Sequence, residues 1–283
     1  MRGRLLLVTA AALALGVSAG GCALGSKLNV HPSSSCEFKG SDGSSFDLDP
    51  DQMANASTIA TVGIVRGLPD HAVTIALATA FQESKLRNLA GGDRDSVGLF
   101  QQRPSQGWGT PEQLSDPRYA AGKFYDHLTQ VDGWQTMTVT DAAQAVQHSA
   151  DASAYAQWED ESRTLALALV GSTPAAVACT LYDSPKHRGT DAQQALTTAL
   201  HLDWGTGLAV SPSGATSVSL TAADTRAGWQ LAQWIVAHAD DNGVQKVSYA
   251  QRLWTASSGK WAALKESTDG VVAELYAPQA SKK

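Results

Sequence analysis

Charge is scarce in this 283-residue chain: Asp, Glu, Lys and Arg make up 17% of it, with 21 basic against 27 acidic residues and a net charge of −6. Phosphate recognition needs clustered Lys and Arg, so the balance excludes a nucleic-acid binder and argues against polybasic attachment to an anionic membrane. Cysteine is scarcer still, three in all, without the Cys-x-x-Cys spacing of a zinc site. His71, His127, His148, His187, His201 and His238 are scattered, with no His-x-x-x-His pair, and no Gly-x-Ser-x-Gly elbow occurs. No metal and no cofactor is expected. No stretch reaches 18 consecutive apolar residues, so no membrane-spanning helix is expected either. What is present is 43% hydrophobic residues, enough for one large domain or two ordinary ones with sizeable cores.

Arg2 and Arg4 precede an apolar run over 5–16, and small residues Ala19, Gly20 and Gly21 lead to Cys22. These parts predict a signal peptide over 1–21. Ala-Gly-Gly-Cys resembles a bacterial lipobox, which makes Cys22 a lipidation site and the protein an exported lipoprotein on the outer face of the membrane. Ala19 stands where Leu is preferred, so plain secretion stays open. If Cys22 carries lipid, Cys36 and Cys179 are left as one disulfide pair in an oxidising space, the alternative being two unpaired thiols.

Residues 22–48, rich in Ser and Gly, read as a tether. Helical patterns dominate from 49 to about 182. Asp49 and Asp51 can cap a helix ending near Gly67, and Asp70 can cap the next. Helices follow over 116–128, 141–149 and 152–170. The polar stretch 183–191, with Pro185 and Gly189, reads as a boundary, and 190–283 mixes a helix over 222–239 with short strand-like runs. The chain is therefore expected to be α+β, a mostly helical domain over 49–182 followed by a smaller α/β domain.

The segment from Ala78 to Gly109 carries the chemistry. Glu83 ends an apolar helix that has no Lys or Arg of its own beside it, and a carboxyl desolvated by Leu77, Ala80 and Phe81 stays protonated near neutral pH, as a general acid must. The bland alternative is a solvated helix-end Glu. Trp108 in the following Gly-rich loop offers a ring face for stacking on a sugar. The acidic run Glu159, Asp160 and Glu161 reads as a solvated helix face.

Glu83-Ser84 is followed at a separation of 15 by Gly98-Leu99-Phe100-Gln101, with Gly92-Asp93-Arg94 between them. This arrangement resembles the lytic transglycosylase and goose-type lysozyme group of the lysozyme-like fold, in which a Glu-Ser pair precedes Gly-Leu-Met-Gln. The resemblance covers roughly 49–170. It implies that Glu83 protonates a glycosidic oxygen of peptidoglycan. It also implies that Ser84 supports the substrate or the Glu, that Gln101 hydrogen-bonds the glycan, and that Asp93 sits where goose-type lysozymes have a water-activating Asp. The second such Asp falls near Arg103, which cannot act as a base. That departure favours lytic transglycosylation, in which the sugar's own C6 hydroxyl attacks, over hydrolysis through Asp93. The group's Ala-Tyr-Asn finds its nearest match in Ala145-Val146-Gln147, and a Tyr touching the catalytic Glu corresponds best to Tyr155. Ser84, Asp93, Gln101, Trp108 and Tyr155 are thus the expected substrate-side residues, glycan strands the expected partner, and a non-catalytic glycan-binding lipoprotein the third class.

Residues 190–283 hold five of the eight Trp. Gly228-Trp229, Trp234 to His238 and Val247 to Ala250 resemble a small α/β domain that follows cell-wall hydrolase domains in actinobacterial secreted proteins and is similar to zinc peptidases of the cell-wall carboxypeptidase type. The zinc ligands are not found, and these Trp residues are expected to be core. If Cys22 is lipidated, Cys22→Ala moves the protein from the membrane fraction to the medium. A wild-type protein found wholly in the medium sinks the anchor.

Overall fold

The computed structural model describes residues 33–279 apart from 150, 152, 183 and 269. The expected signal peptide and Cys22 lie outside the described residues. In chain order come β1 (Ser35–Lys39), β2 (Ser45–Leu48), α1 (Pro50–Val65), α2 (Asp70–Ser84), α3 (Pro111–Leu114), α4 (Pro117–Leu128), α5 (Val139–Gln147) and α6 (Glu159–Leu169). They are followed by β3 (Val177–Thr180), α7 (Gly189–Trp204), β4 (Val210–Pro212), β5 (Ser217–Leu220), α8 (Thr225–Ala237), α9 (Ala239–Asn242), β6 (Val244–Tyr249), β7 (Arg252–Thr255), β8 (Lys260–Ala263) and β9 (Val271–Leu275). The protein is α+β.

α1 opens with a capping box: the Asp49 carboxylate accepts from the Gln52 N–H at 2.9 Å, and the Gln52 side chain accepts from the Asp49 N–H at 3.0 Å. Pro50 fills the first helical position, where no N–H is needed. The cap of α2 is Pro69, one residue before the expected Asp70, which is the first residue of the helix. Every residue from Ala72 to Phe81 is buried. A helix apolar on all sides belongs at the centre, and its four alanines over 72–80 let α1, α4, α5 and α6 close around it.

Residues 35–48, expected as tether, are instead a hairpin inside the fold. Cys36 and Phe38 alternate inward on β1, and the Gly-Ser composition belongs to the turn over 40–44. β1 pairs with β2 on one edge and with β3 on the other, which sets Cys36 opposite Cys179. The two form the disulfide. Closing a loop of 143 residues restricts the unfolded chain, for on the order of 4–5 kcal/mol in chain-entropy models.

The second sheet is antiparallel in the order β4-β5-β9-β6-β7-β8. Two of its side chains satisfy the free edge of β3: Trp254 Nε1 donates to Cys179 O at 3.1 Å, and Trp261 Nε1 to Val177 O at 2.7 Å. Trp229, Trp234 and Trp254 are core, as expected, while Trp204 and Trp261 are half-buried. Composition alone did not reveal α7, because its buried stripe is narrow, with Ala192, Leu196 and Leu200 one turn apart.

From Ser33 onward the chain forms one contact unit. Asp203, with no exposed side-chain surface, joins the helices. Arg118 Nε of α4 lies 2.5 Å from its Oδ1, and Trp234 Nε1 and Thr58 Oγ1 donate to its Oδ2 at 2.7 and 3.1 Å. Burial lowers the pKa of His238, whose ring stacks on Trp234 at 4.0 Å. Asp203→Ala takes away the nearer of the two carboxylates paired with Arg118, leaving Asp116 at 3.6 Å, and removes the acceptor of the Trp234 N–H. Stability is expected to fall by on the order of 3 kcal/mol, read from a urea midpoint. An unchanged midpoint refutes this role.

Candidate active site

The last turn of α2 emerges from the core with Glu83 half-buried and Ser84 buried. Tyr155, completely buried, donates its hydroxyl to Glu83 Oε1 at 2.9 Å. The Gln147 side-chain amide donates to the same carboxyl. Burial raises the Glu83 pKa above the ordinary carboxylate value, and the Tyr155 and Gln147 hydrogen bonds and the Lys85 ammonium oppose this without cancelling it. The negative end of the α2 dipole also disfavours the carboxylate. Burial and the neighbouring Glu83 push the Tyr155 phenol well above its usual value, so Tyr155 remains a donor.

The sequence motifs meet here through hydrogen bonds. Ser84 Oγ donates to Leu99 O at 2.7 Å, with Ala80 O a second acceptor at 3.1 Å. Gln147 Nε2 donates to Phe100 O at 2.8 Å. The end of α2, the Gly98–Gln101 segment and the end of α5 are therefore tied at one place. α5 buries Val139, Ala142, Ala143 and Val146 as a helical stripe, which carries Gln147 to the Glu83 end of α2. Gly98 is required where it stands: its φ is +79°, and a Cβ there would lie 2.3 Å from Leu114 O.

The expected substrate-side residues divide. Tyr155 touches Glu83. Ser84 is buried with its proton committed to backbone carbonyls, so it holds the loop. Gln101 folds back on its own loop, accepting from Ser96 Oγ at 2.8 Å and donating to Gly98 O at 3.0 Å. Trp108 is half-buried and stacks on His127 at 4.0 Å. The Asp93 side chain is 93% exposed, with the Arg94 guanidinium 3.9 Å away. Arg103 pairs with Asp95 at 2.9 Å, and the Ser105 N–H, the Arg103 contact and the Ser105 hydroxyl hold the Asp95 carboxyl down to about 2.

Two residues at the site were not singled out from sequence, Lys85 and Trp158, while Gln147 entered as the last residue of the Ala145-Val146-Gln147 match. The expectation of no cation beside Glu83 covered the helix itself, and Lys85 is the residue that caps it. Its Nζ sits 3.9 Å over the Trp158 ring. Trp158 stacks on Phe81 at 5.3 Å and donates Nε1 to Gln82 Oε1 at 2.9 Å. The acidic run is not uniformly solvated: Glu159 pairs with Arg163, Glu161 is half-buried, and Asp160 is exposed. Burial raises the Glu161 pKa, with Lys85 opposing.

A cavity of about 380 Å³ lined by Asp51, Asn55, Arg87 and Asp241, and another of about 460 Å³ lined by His71, Thr74, Met137 and Arg163, do not include Glu83 in their walls. Among the described residues no group of three His, Cys, Asp or Glu side chains could hold a metal, and no helix is long and apolar enough to cross a membrane.

Residues 198–272 match the family described as the VldE C-terminal domain. The match runs from the end of α7 through β9 and contains none of the residues around Glu83. No curated protein matches the chain.

Because folding raises the Glu83 pKa, the ionised form is the one penalised, and the native state loses stability as pH rises through the raised value. Glu83→Gln removes that penalty. Its Tm is expected above wild type at pH 7–8, the difference vanishing below about pH 4, where Glu is protonated in both states. A lower Tm for the variant at pH 8 contradicts a desolvated carboxyl.

Proposed function

We propose that this chain is a peptidoglycan-cleaving lytic transglycosylase that acts on the MurNAc–GlcNAc β-1,4 bond with Glu83 as general acid. The observation that carries the reading is the half-buried Glu83 carboxyl that receives the Tyr155 hydroxyl, beside the Ser84–Leu99 bond joining the two spaced motifs. On this reading residues 49–182 are a lysozyme-like domain, 190–283 a smaller α/β domain, and the protein is exported and held at the outer membrane face through Cys22.

The protonated carboxyl gives its proton to the glycosidic oxygen as the C1–O bond breaks. The C6 hydroxyl of the same muramyl sugar then bonds to C1, and its proton returns to Glu83, leaving a 1,6-anhydro end and restoring the acid. One carboxyl serves both steps, so the two-carboxylate arrangement of most glycosidases is not needed. Burial favours the starting proton, while Tyr155, Gln147 and Lys85 support the carboxylate between the steps. The exposure of Asp93 weighs against hydrolysis through that residue.

Muropeptides released from purified cell wall are expected to carry 1,6-anhydro ends. Glu83→Gln is expected to lower their release by roughly 10²–10⁴-fold while binding persists, and Asp93→Asn to leave it intact. Reducing ends lost with Asp93→Asn would identify a hydrolase. Release unaffected by Glu83→Gln, or no release at all, would leave a glycan-binding protein as the better reading.

A further inference from the structure

The turn that follows Glu83-Ser84 is held in a rare conformation. Lys85 and Leu86, neither of them glycine, both adopt left-handed backbone angles, with φ of 56° and 60°. One such residue is a common helix cap, but two in succession persist only where the surroundings impose them. Here they do so from three sides. The Lys85 and Leu86 N–H groups donate to Phe81 O and Ala80 O at 3.0 and 3.1 Å. From α1, Gln52 Nε2 donates to Lys85 O at 2.7 Å and Asn55 Nδ2 to Leu86 O at 2.9 Å. Leu86 itself is completely buried.

The effect of this construction is to present one side chain. Lys85 is exposed, and its ammonium rests on Trp158, a ring pinned by Phe81 and Gln82. Both Glu83 and Glu161 act on it electrostatically, yet among the described residues neither closes to an ion pair with it. A cation fixed on an indole face beside the reacting carboxyl, with no hydrogen-bond acceptor among the described residues, suits an anionic group of a ligand.

We propose that Lys85 is the specificity-determining contact of this site, binding a carboxylate carried on the C3 substituent of the muramyl sugar whose bond Glu83 protonates. This rests on the peptidoglycan reading above and deepens it. The carboxylate is that of the lactyl group on a peptide-stripped strand, or of the stem on a peptide-bearing one. The shared chemistry is a carboxylate next to the scissile bond.

Binding is measured with the full chain carrying Glu83→Gln, so that cleavage does not intervene. The probes are stripped and peptide-bearing glycan strands, each as free acid and as methyl ester. Free-acid strands are expected to bind about tenfold more tightly than their esters, as for one charge-assisted hydrogen bond at a partly wet site. High salt should erode that preference. Adding Lys85→Gln is expected to abolish it, and adding Lys85→Arg to keep it, which separates loss of charge from loss of fold. Preference in only one strand type identifies which carboxylate is read. Equal loss of both acid and ester binding in Lys85→Gln, survival of the preference in that variant, or no binding to any strand overturns the proposal. A Lys85-dependent preference in a protein that releases no muropeptides would overturn the catalytic reading and leave this one standing.

Discussion

The burial of α2 on every side is the constraint from which the rest of the site follows. A helix whose residues from Ala72 to Phe81 are all out of water has to be enclosed, and α1, α4, α5 and α6 enclose it. Its last turn then delivers a carboxyl to the rim of an apolar interior. Glu83 is half-buried because the helix ends there, and its raised pKa is the electrostatic expression of that position. The same helix end places Ser84 where its hydroxyl can lock the Gly98–Gln101 segment.

Burial and hydrogen bonding are balanced at Glu83. Desolvation alone would keep the acid protonated but make its conjugate base costly. Two donors from the α5 end and the segment before α6, with a cation from the α2 cap, make the charged form accessible. Each comes from a different element, so the balance depends on the packing of α5 and α6 against α2. The destabilisation left by an incompletely compensated carboxyl is offset elsewhere, in the disulfide between β1 and β3 and the buried Asp203 network. The indoles of Trp254 and Trp261 extend the same cohesion by supplying the β3 edge with the donors that a further strand would have provided.

Much of this was legible in the residues themselves. The α1 cap at Asp49, the continuous apolar α2, the position of Glu83 at its end and the pairing of Cys36 with Cys179 each rest on local composition or on counting. The Tyr155 contact was expected only through resemblance, since 72 residues separate it from Glu83. Gln101 and Ser84 show what a motif leaves out. Their motif was visible, but whether a polar side chain faces a ligand or its own loop depends on neighbours that a motif does not name.

The sequence by itself determined the α+β class, the acidic balance of charge, the central helix and the carboxyl at its end. These are consequences of local periodicity and composition, which are properties of neighbouring residues. Only the tertiary structure decided that the Ser- and Gly-rich 35–48 segment is a hairpin, that α7 exists on a narrow stripe, and that Lys85 stands over Trp158 beside Glu83. Those outcomes depend on contacts between residues far apart in the chain, such as Cys36 with Cys179 and Gln52 with Lys85. No local pattern carries such contacts, because each is fixed by the packing of elements that the pattern does not contain.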